Sequence, residues 1–202
     1  MLALILAAAV TAATPVLRED NIPEIVSLLT LEEKAAILVG CGSTAFDGIG
    51  RSDIGVKGSA GATHAVPRLG IPSIVFADGP AGLRIDPERP GSEGSFYCTG
   101  FPIGTMLAST WNPEIVRLVG EAMGNEVLEY GVDVLLAPGM NIHRNPLCGR
   151  NFEYFSEDPL LSGKIASAYV KGIQSNGVGV SIKHYAANNQ ETNRDRNDAR
   201  IS

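Results

Sequence analysis

Cysteine is scarce in this sequence, and the positions of the few cysteines exclude the usual structural uses of the residue. Only Cys41, Cys98 and Cys148 occur among 202 residues. They are too few and too scattered for a disulfide framework, and their spacing matches no metal-binding pattern. A single bridge between two of them stays open, but we expect three free thiols.

Runs of basic residues are also missing. The formal net charge is −6 and the isoelectric point is about 5.1. A protein that binds nucleic acid needs clustered Lys and Arg to neutralise phosphates. We therefore expect no nucleic-acid partner, and nothing in the sequence indicates an oligomeric state.

No hydrophobic run is long enough to span a bilayer. The longest, at the N-terminus, is about 13 residues, whereas a transmembrane helix needs about 20; it stands in MLALILAAAVTAATP. We interpret residues 1–20 as a candidate signal peptide or an N-terminal extension. No Lys or Arg precedes the run, so a mis-assigned start or a first helix packed on the domain is the alternative. A signal peptide would make the protein periplasmic or secreted, and otherwise we expect it to be cytoplasmic.

Several catalytic signatures are absent from the sequence. It contains no H-E-x-x-H zinc motif, no G-x-x-x-x-G-K-[ST] phosphate loop and no G-x-G-x-x-G that follows a strand and opens a helix. The G-x-S-x-G nucleophile elbow of serine hydrolases is missing too. We therefore expect neither a metal site nor a cofactor.

What the sequence does contain is an alternation of apolar runs and helical patterns. A capping box at Thr30–Glu33 opens a first helix. The apolar runs that we interpret as strands are Pro72–Asp78, Phe101–Ala108, Val132–Ala137 and Val178–Ile182. Helical periodicity follows Asn112-Pro113 as far as Gly131, and follows Ser156–Pro159 as far as Asn176-Gly177. Strands that alternate with helices predict a parallel α/β sheet with right-handed crossovers.

Polar residues follow three of these strands. They are Asp78, then His143, Arg144 and Arg150, and finally Lys183 and His184. A TIM barrel collects such residues from several strand ends, whereas an open doubly wound sheet collects them at one switch point. We therefore favour an α/β fold that is a partial TIM-type (β/α)8 barrel, with roughly the first four strands and their helices.

Each polar residue has a functional and a structural interpretation. Asp78 is either a nucleophile, base or acceptor for substrate hydroxyls, or an acid that caps the turn at Gly79-Pro80. Arg150 either binds oxygen acceptors with its planar fork or pairs with a nearby acid, Glu153 or Asp158. The adjacent positive charge of Lys183 favours a neutral His184 that acts as a hydrogen-bond partner. Both side chains reach one site only if the strand ends or bulges there.

Three long motifs resemble glycoside hydrolase family 3, the β-glucosidase group. They are FADGPAGLR at 76–84, LLAPGMNIHRNPLCGRNFEYFSEDPLLSG at 135–163 and IKHYAANNQETNR at 182–194. The resemblance extends from about Leu28 to the end, so residues 21–202 are identified as an incomplete N-terminal barrel domain of this family. It implies a retaining hydrolase of terminal, non-reducing β-D-glucosyl residues, with a β-glucoside or an oligosaccharide as substrate. Two carboxyl groups about 5–5.5 Å apart perform such a reaction.

The resemblance also implies roles for individual residues. Asp78, Arg150, Lys183, His184 and Arg194 are expected to bind the sugar in the −1 subsite, so Asp78 is a binding residue and not the nucleophile. The family's nucleophile lies in a Ser-Asp-Trp type motif beyond the Lys-His pair, and the sole tryptophan here, Trp111, lies upstream of that pair. We therefore expect both catalytic carboxylates beyond the C-terminal end and an inactive fragment. The alternatives are a β-xylosidase of the same family or a non-catalytic glycan-binding remnant.

Overall fold

The computed structural model describes residues 15–42, 55–89 and 91–201, so most of the candidate signal peptide lies outside the described residues. The helices are α1 (Ile22–Leu28), α2 (Leu31–Val39), α3 (Gly104–Ser109), α4 (Pro113–Glu129) and α5 (Pro159–Gln174). The strands are β1 (Gly61–Ala62), β2 (Val75–Asp78), β3 (Val134–Leu136) and β4 (Gly179–Val180). Short 3-10 helices occur at Pro67–Leu69, Asn151–Glu153 and Arg194–Arg196.

The sheet has the order β1-β2-β3-β4. The strands β2, β3 and β4 are parallel, whereas β1 pairs antiparallel with β2. This open four-stranded sheet with its helices is consistent with part of a TIM-type barrel, and the predicted fold class is confirmed. The prediction for Phe101–Ala108 was wrong, because this apolar run contains helix α3 and no strand. The fourth strand of the sheet is instead β1 at Gly61–Ala62.

Capping residues explain where the main helices begin. The Thr30 hydroxyl accepts from the backbone of Glu33, whose carboxylate accepts from the backbone of Thr30, so the predicted capping box of α2 is confirmed. Asn112 and Asp158 accept from the first backbone N–H groups of α4 and α5, and each helix has a proline in its first turn. A side-chain cap satisfies N–H groups that have no partner within the helix.

Helices α4 and α5 pack on each other and cover one face of the sheet. Their buried side chains join those of the strands in one apolar core, which includes Val116, Met123, Val127, Leu135, Ala137, Ile165, Tyr169 and Ile173. Along β2, Val75 and Ala77 are buried, whereas Phe76 and Asp78 are only partly buried. Successive strand residues point to opposite faces, so Asp78 lies on the face that these helices do not cover.

The remaining predictions about the chain concern its thiols and its hydrophobic segments. All three cysteines lie in described residues and are free, as predicted. Among the described helices, none combines the length and the hydrophobicity that crossing a bilayer requires.

Candidate functional site

The carboxyl ends of β2 and β4 meet at an ion pair. Asp78 is the last residue of β2, and its Oδ1 lies 2.5 Å from Nζ of Lys183, a residue 105 positions later in the chain. Lys183 follows β4 and stays beside the loop that leaves β3, because its N–H donates to Pro138 and its carbonyl accepts from Met140. The two side chains therefore meet past the carboxyl end of β3, the strand that lies between β2 and β4.

A second cation shares the Asp78 carboxylate. Nη1 of Arg84 lies 3.5 Å from Oδ2 of Asp78, and the Arg84 backbone N–H donates to the Asp78 carbonyl at 2.5 Å. Sequence analysis did not select Arg84. The sequence placed the two residues in the same motif, which contains Asp78 and ends at Arg84. Only the tight turn between them, seen in the structure, shows that their side chains meet.

Arg150 lies close to this pair and is held by two partners. Its Nε donates to the buried carboxylate of Glu153, and its Nη2 lies 2.7 Å from Nε2 of His184. Of the two acids that the sequence offered as structural partners, Glu153 is therefore the one that Arg150 contacts, whereas Asp158 caps α5. Burial works to lower the pKa of the Arg150 guanidinium, but the hydrogen bond and charge of Glu153 outweigh it and raise that pKa.

His184 is half-buried and hydrogen-bonded through both ring nitrogens. Its Nδ1 lies 3.1 Å from the hydroxyl oxygen of Tyr154 and 3.3 Å from Oδ1 of Asn141. Burial lowers the pKa of the imidazole to about 4, and the positive charges of Arg150 and Lys183 add to the effect. This pKa agrees with the predicted neutral His184, although burial and not Lys183 is the larger cause.

Arg194 stands apart from the other four predicted residues. It begins a 3-10 helix, its side chain is half-exposed, and its Nη1 lies 3.4 Å from Oε2 of Glu191. The other carboxylate oxygen of Glu191 lies 3.9 Å from Nε of Arg150. Within the part of the chain that the structure describes, Arg194 thus reaches the site only through Glu191, another residue that sequence analysis missed within the polar run after His184.

Two clefts adjoin the ion pair. One of about 530 Å³ lies along Lys183 and His184 and includes Met140 and Asn141 in its wall. The other, of about 450 Å³, lies between the Asp78–Arg84 turn and the segment that carries Arg150 and Glu153. Both have the size of a small-ligand site. Among the described residues, no group of three or more His, Cys, Asp or Glu side chains is arranged to hold a metal ion.

The arrangement is suited to binding a polyhydroxylated ligand. A carboxylate accepts hydrogen bonds only, whereas a lysine ammonium and an arginine guanidinium donate only. Asp78, Lys183 and Arg150 therefore supply strong acceptors and strong donors to the walls of the two clefts. Sugar hydroxyls, which both donate and accept, can use both kinds of partner.

Comparisons with known proteins agree with this chemistry. Residues 59–199 match the model for the glycosyl hydrolase family 3 N terminal domain. The chain is 46% identical over 177 residues to thermostable beta-glucosidase B of Acetivibrio thermocellus, covering 86% of this chain and 21% of the relative. It is 48% identical over 178 residues to exo-alpha-(1->6)-L-arabinopyranosidase of Bifidobacterium longum, with coverage of 86% and 21%.

Solved structures give the same result. Beta-glucosidase 3B of Thermotoga neapolitana in complex with glucose superposes with a TM-score of 0.78 at 64% sequence identity, covering 85% of this chain and 24% of that chain. A beta-glucosidase of Bifidobacterium adolescentis superposes with a TM-score of 0.63 at 45% identity, over 83% of this chain and 21% of that one. The chain spans about a fifth of the length of the curated relatives that it matches. It belongs to glycosyl hydrolase family 3, and the matched region is the N-terminal domain of that family.

Proposed function

We propose that this chain binds the terminal, non-reducing β-D-glucosyl residue of a glucoside or oligosaccharide, as part of a retaining β-glucosidase. The observation that carries the proposal is the ion pair of Asp78 and Lys183, which joins two strand ends that are 105 residues apart in sequence. A glucose complex is known for the Thermotoga neapolitana relative, which supports glucose as the sugar.

In this proposal Asp78 is the acceptor for sugar hydroxyls, and the cationic side chains are the donors. Asp78 accepts hydrogen bonds from sugar hydroxyls, and Lys183 donates to neighbouring hydroxyl oxygens. Arg150 donates from the other side of the site and is held by His184. Arg194 borders the site through its contact with Glu191. A charged hydrogen-bond partner contributes about 1.5–3 kcal/mol, so the Asp78–Lys183 pair supplies much of the affinity.

Bond cleavage requires two further carboxyl groups in this scheme. One attacks the anomeric carbon to form a glycosyl-enzyme, and the other protonates the leaving oxygen and later activates water. We assign both to sequence that follows residue 202. This assignment is supported by the contacts of the acids in the described site. Asp78 is held by Lys183 and Arg84, Glu153 by Arg150, and Glu191 by Arg194 and Arg150.

A pentopyranoside is the second candidate substrate. The arabinopyranosidase of Bifidobacterium longum, at 48% identity, is about as similar to this chain as thermostable beta-glucosidase B of Acetivibrio thermocellus, at 46%. Xylopyranose has the ring hydroxyls of glucose and lacks only the C6 hydroxymethyl group, whereas L-arabinopyranose also differs in the configuration at C4. Both present neighbouring ring hydroxyls to which Asp78 and Lys183 can bind. A β-xylosidase belongs to the same class of alternatives.

Sugar binding by the full chain tests the proposal directly. Glucose, xylose and arabinose are titrated separately and followed by saturation-transfer NMR. We expect Lys183→Ala to weaken glucose binding about 10- to 100-fold, which corresponds to the loss of one charged hydrogen bond. Lys171→Ala is the matched control, because Lys171 is an exposed lysine in the last turn of α5. Equal glucose affinity in the Lys183→Ala and Lys171→Ala chains would contradict the proposed sugar site.

Hydrolysis is measured on the same material with 4-nitrophenyl β-D-glucopyranoside. We expect no turnover above background from the 202-residue chain. Turnover that disappears in the Asp78→Asn chain would show that the reacting carboxylate lies within these residues. Preference for xylose or arabinose over glucose would favour the pentopyranoside candidate.

A further inference from the structure

The contact between Arg150 and His184 indicates which nitrogen of the imidazole ring carries the proton. Nη2 of Arg150 lies 2.7 Å from Nε2 of His184. A guanidinium has five N–H donors and no acceptor. Nε2 must therefore accept this hydrogen bond with its lone pair. A neutral ring that accepts at Nε2 carries its proton at Nδ1.

Asn141 gives independent support for a proton at Nδ1. Its Nδ2 donates to the His184 carbonyl at 3.1 Å, and its Oδ1 accepts from the His184 backbone N–H at 2.8 Å. A flipped amide would lose both bonds, so the amide orientation is determined. The same Oδ1 lies 3.3 Å from Nδ1 of His184. Only a protonated Nδ1 can face this oxygen without placing two lone pairs against each other.

Tyr154 completes the partners of Nδ1. Its hydroxyl lies 3.1 Å from Nδ1, donates to the Asn188 carbonyl at 3.1 Å and accepts from Asn188 Nδ2 at 2.9 Å. A hydroxyl has one proton and two acceptor positions. Because the proton goes to the Asn188 carbonyl, the hydroxyl is free to accept from Nδ1–H. The Tyr154 side chain is completely buried, so this geometry is held by the core.

We propose that Tyr154 and Asn141 are positioning residues that hold His184 in its Nδ1–H tautomer, so that Nε2 orients the Arg150 guanidinium in the sugar site. With Nε bonded to Glu153 and Nη2 bonded to His184, the plane of the guanidinium is fixed at two corners. Nη1 is the amino group that these two bonds leave for a ligand. In this arrangement His184 also positions Arg150. The effect on sugar affinity rests on the proposed function, whereas the tautomer does not.

Nitrogen NMR of the histidine rings tests the tautomer without any sugar. The chain has three histidines, so the ring signals of His184 in the full chain are assigned by their loss in His184→Gln. We expect a protonated Nδ1 and an unprotonated Nε2 from pH 8 to pH 5. A proton at Nε2 over this range would overturn the inference.

Tyr154→Phe tests the positioning role in the same spectra. We expect the His184 nitrogen signals to shift towards a mixture of tautomers, because Nδ1–H keeps only the longer contact to Asn141. Tyr130→Phe is the control, since the Tyr130 hydroxyl bonds to the Tyr97 carbonyl away from His184. Identical His184 signals in the wild-type and Tyr154→Phe chains would overturn the role of Tyr154.

Two amide substitutions then test the link to Arg150. A glutamine at position 184 can place its amide oxygen near the position of Nε2, whereas an asparagine reaches only the position of Nδ1. We expect both variants to bind glucose more weakly than the wild type, and His184→Asn to bind it about tenfold more weakly than His184→Gln. Similar affinities in the two variants would refute the orienting role. Loss of glucose binding in every chain, with the Nδ1–H tautomer present, would instead refute the proposed function and leave the tautomer assignment standing.

Discussion

Acidification should destabilise the folded chain through His184. The pKa of this imidazole is about 4 in the folded chain, below its ordinary value of 6.5, because the ring is buried beside Arg150 and Lys183. Between these two values the unfolded chain binds a proton at His184 that the folded chain does not bind. Stability therefore falls as the pH falls from about 6.5, and the loss is complete near pH 4.

The size of the effect follows from the pKa change. One pKa unit corresponds to about 1.36 kcal/mol, so a fall from 6.5 to about 4 sets an upper limit of about 3 kcal/mol. The ring is only half-buried, and solvent screens part of the repulsion, so we expect about 1–2 kcal/mol. For a chain of this length that amount lowers the melting temperature by roughly 2–8 °C.

Thermal unfolding followed by circular dichroism at pH 7, 6, 5 and 4.5 measures this loss. His184→Gln removes the titrating group, so we expect a lower melting temperature at pH 7 but a shallower fall towards pH 4.5. His64→Gln is the control, because His64 is exposed, and it should follow the wild type. Carboxylates titrate in all three chains, so only the difference between them reports on His184. If His184→Gln and wild type lose the same number of degrees, protonation of His184 does not oppose folding and the reasoning fails.

Two further predictions concern the helices that support the sheet. Gly172→Ala should lower the melting temperature by about 4–8 °C, or about 2 kcal/mol, because the new methyl group would lie 2.8 Å from the Glu121 backbone nitrogen of the facing helix. Gly163→Ala on the same helix has open space around it and should raise the melting temperature by about 2–4 °C; the same sign of change for both would contradict this. Tyr169→Phe should cost about 1–3 kcal/mol in urea unfolding, because the buried hydroxyl donates to the Pro80 carbonyl at 2.8 Å; wild-type stability would show that this bond contributes nothing.

Sequence periodicity predicted the long helices and the parallel strands, but it failed for one short apolar run. Helices α4 and α5 have side-chain caps, a proline in the first turn and several turns of apolar spacing. The segment Phe101–Ala108 is only about two turns long, and a run of that length fits a buried strand or a buried helix equally well. The tertiary context decides, since Leu107 and Ala108 are buried in the core below the sheet.

Some contacts of the site could likewise be predicted from the sequence, and others could not. The meeting of Asp78 with Lys183 was predictable, because the carboxyl ends of parallel strands lie at one edge of a sheet. The contacts of Arg84, Tyr154 and Glu191 were not predictable, because each depends on the path of an irregular loop. The sugar-binding role of Arg194 was assigned from the family resemblance alone. Its described contact is to Glu191, and its role in sugar binding stays a prediction.

One peptide bond joins the two halves of the site. Lys183 holds Asp78, and the next residue, His184, holds Arg150. On a regular strand these neighbours would point to opposite faces, but β4 ends at Val180, three residues before Lys183. The backbone after β4 is fixed by the Asn141 side chain, which bonds to both the N–H and the carbonyl of His184. A change at Asn141 would therefore move both Lys183 and His184, so the Asp78 and Arg150 halves of the site should respond to it together and not separately.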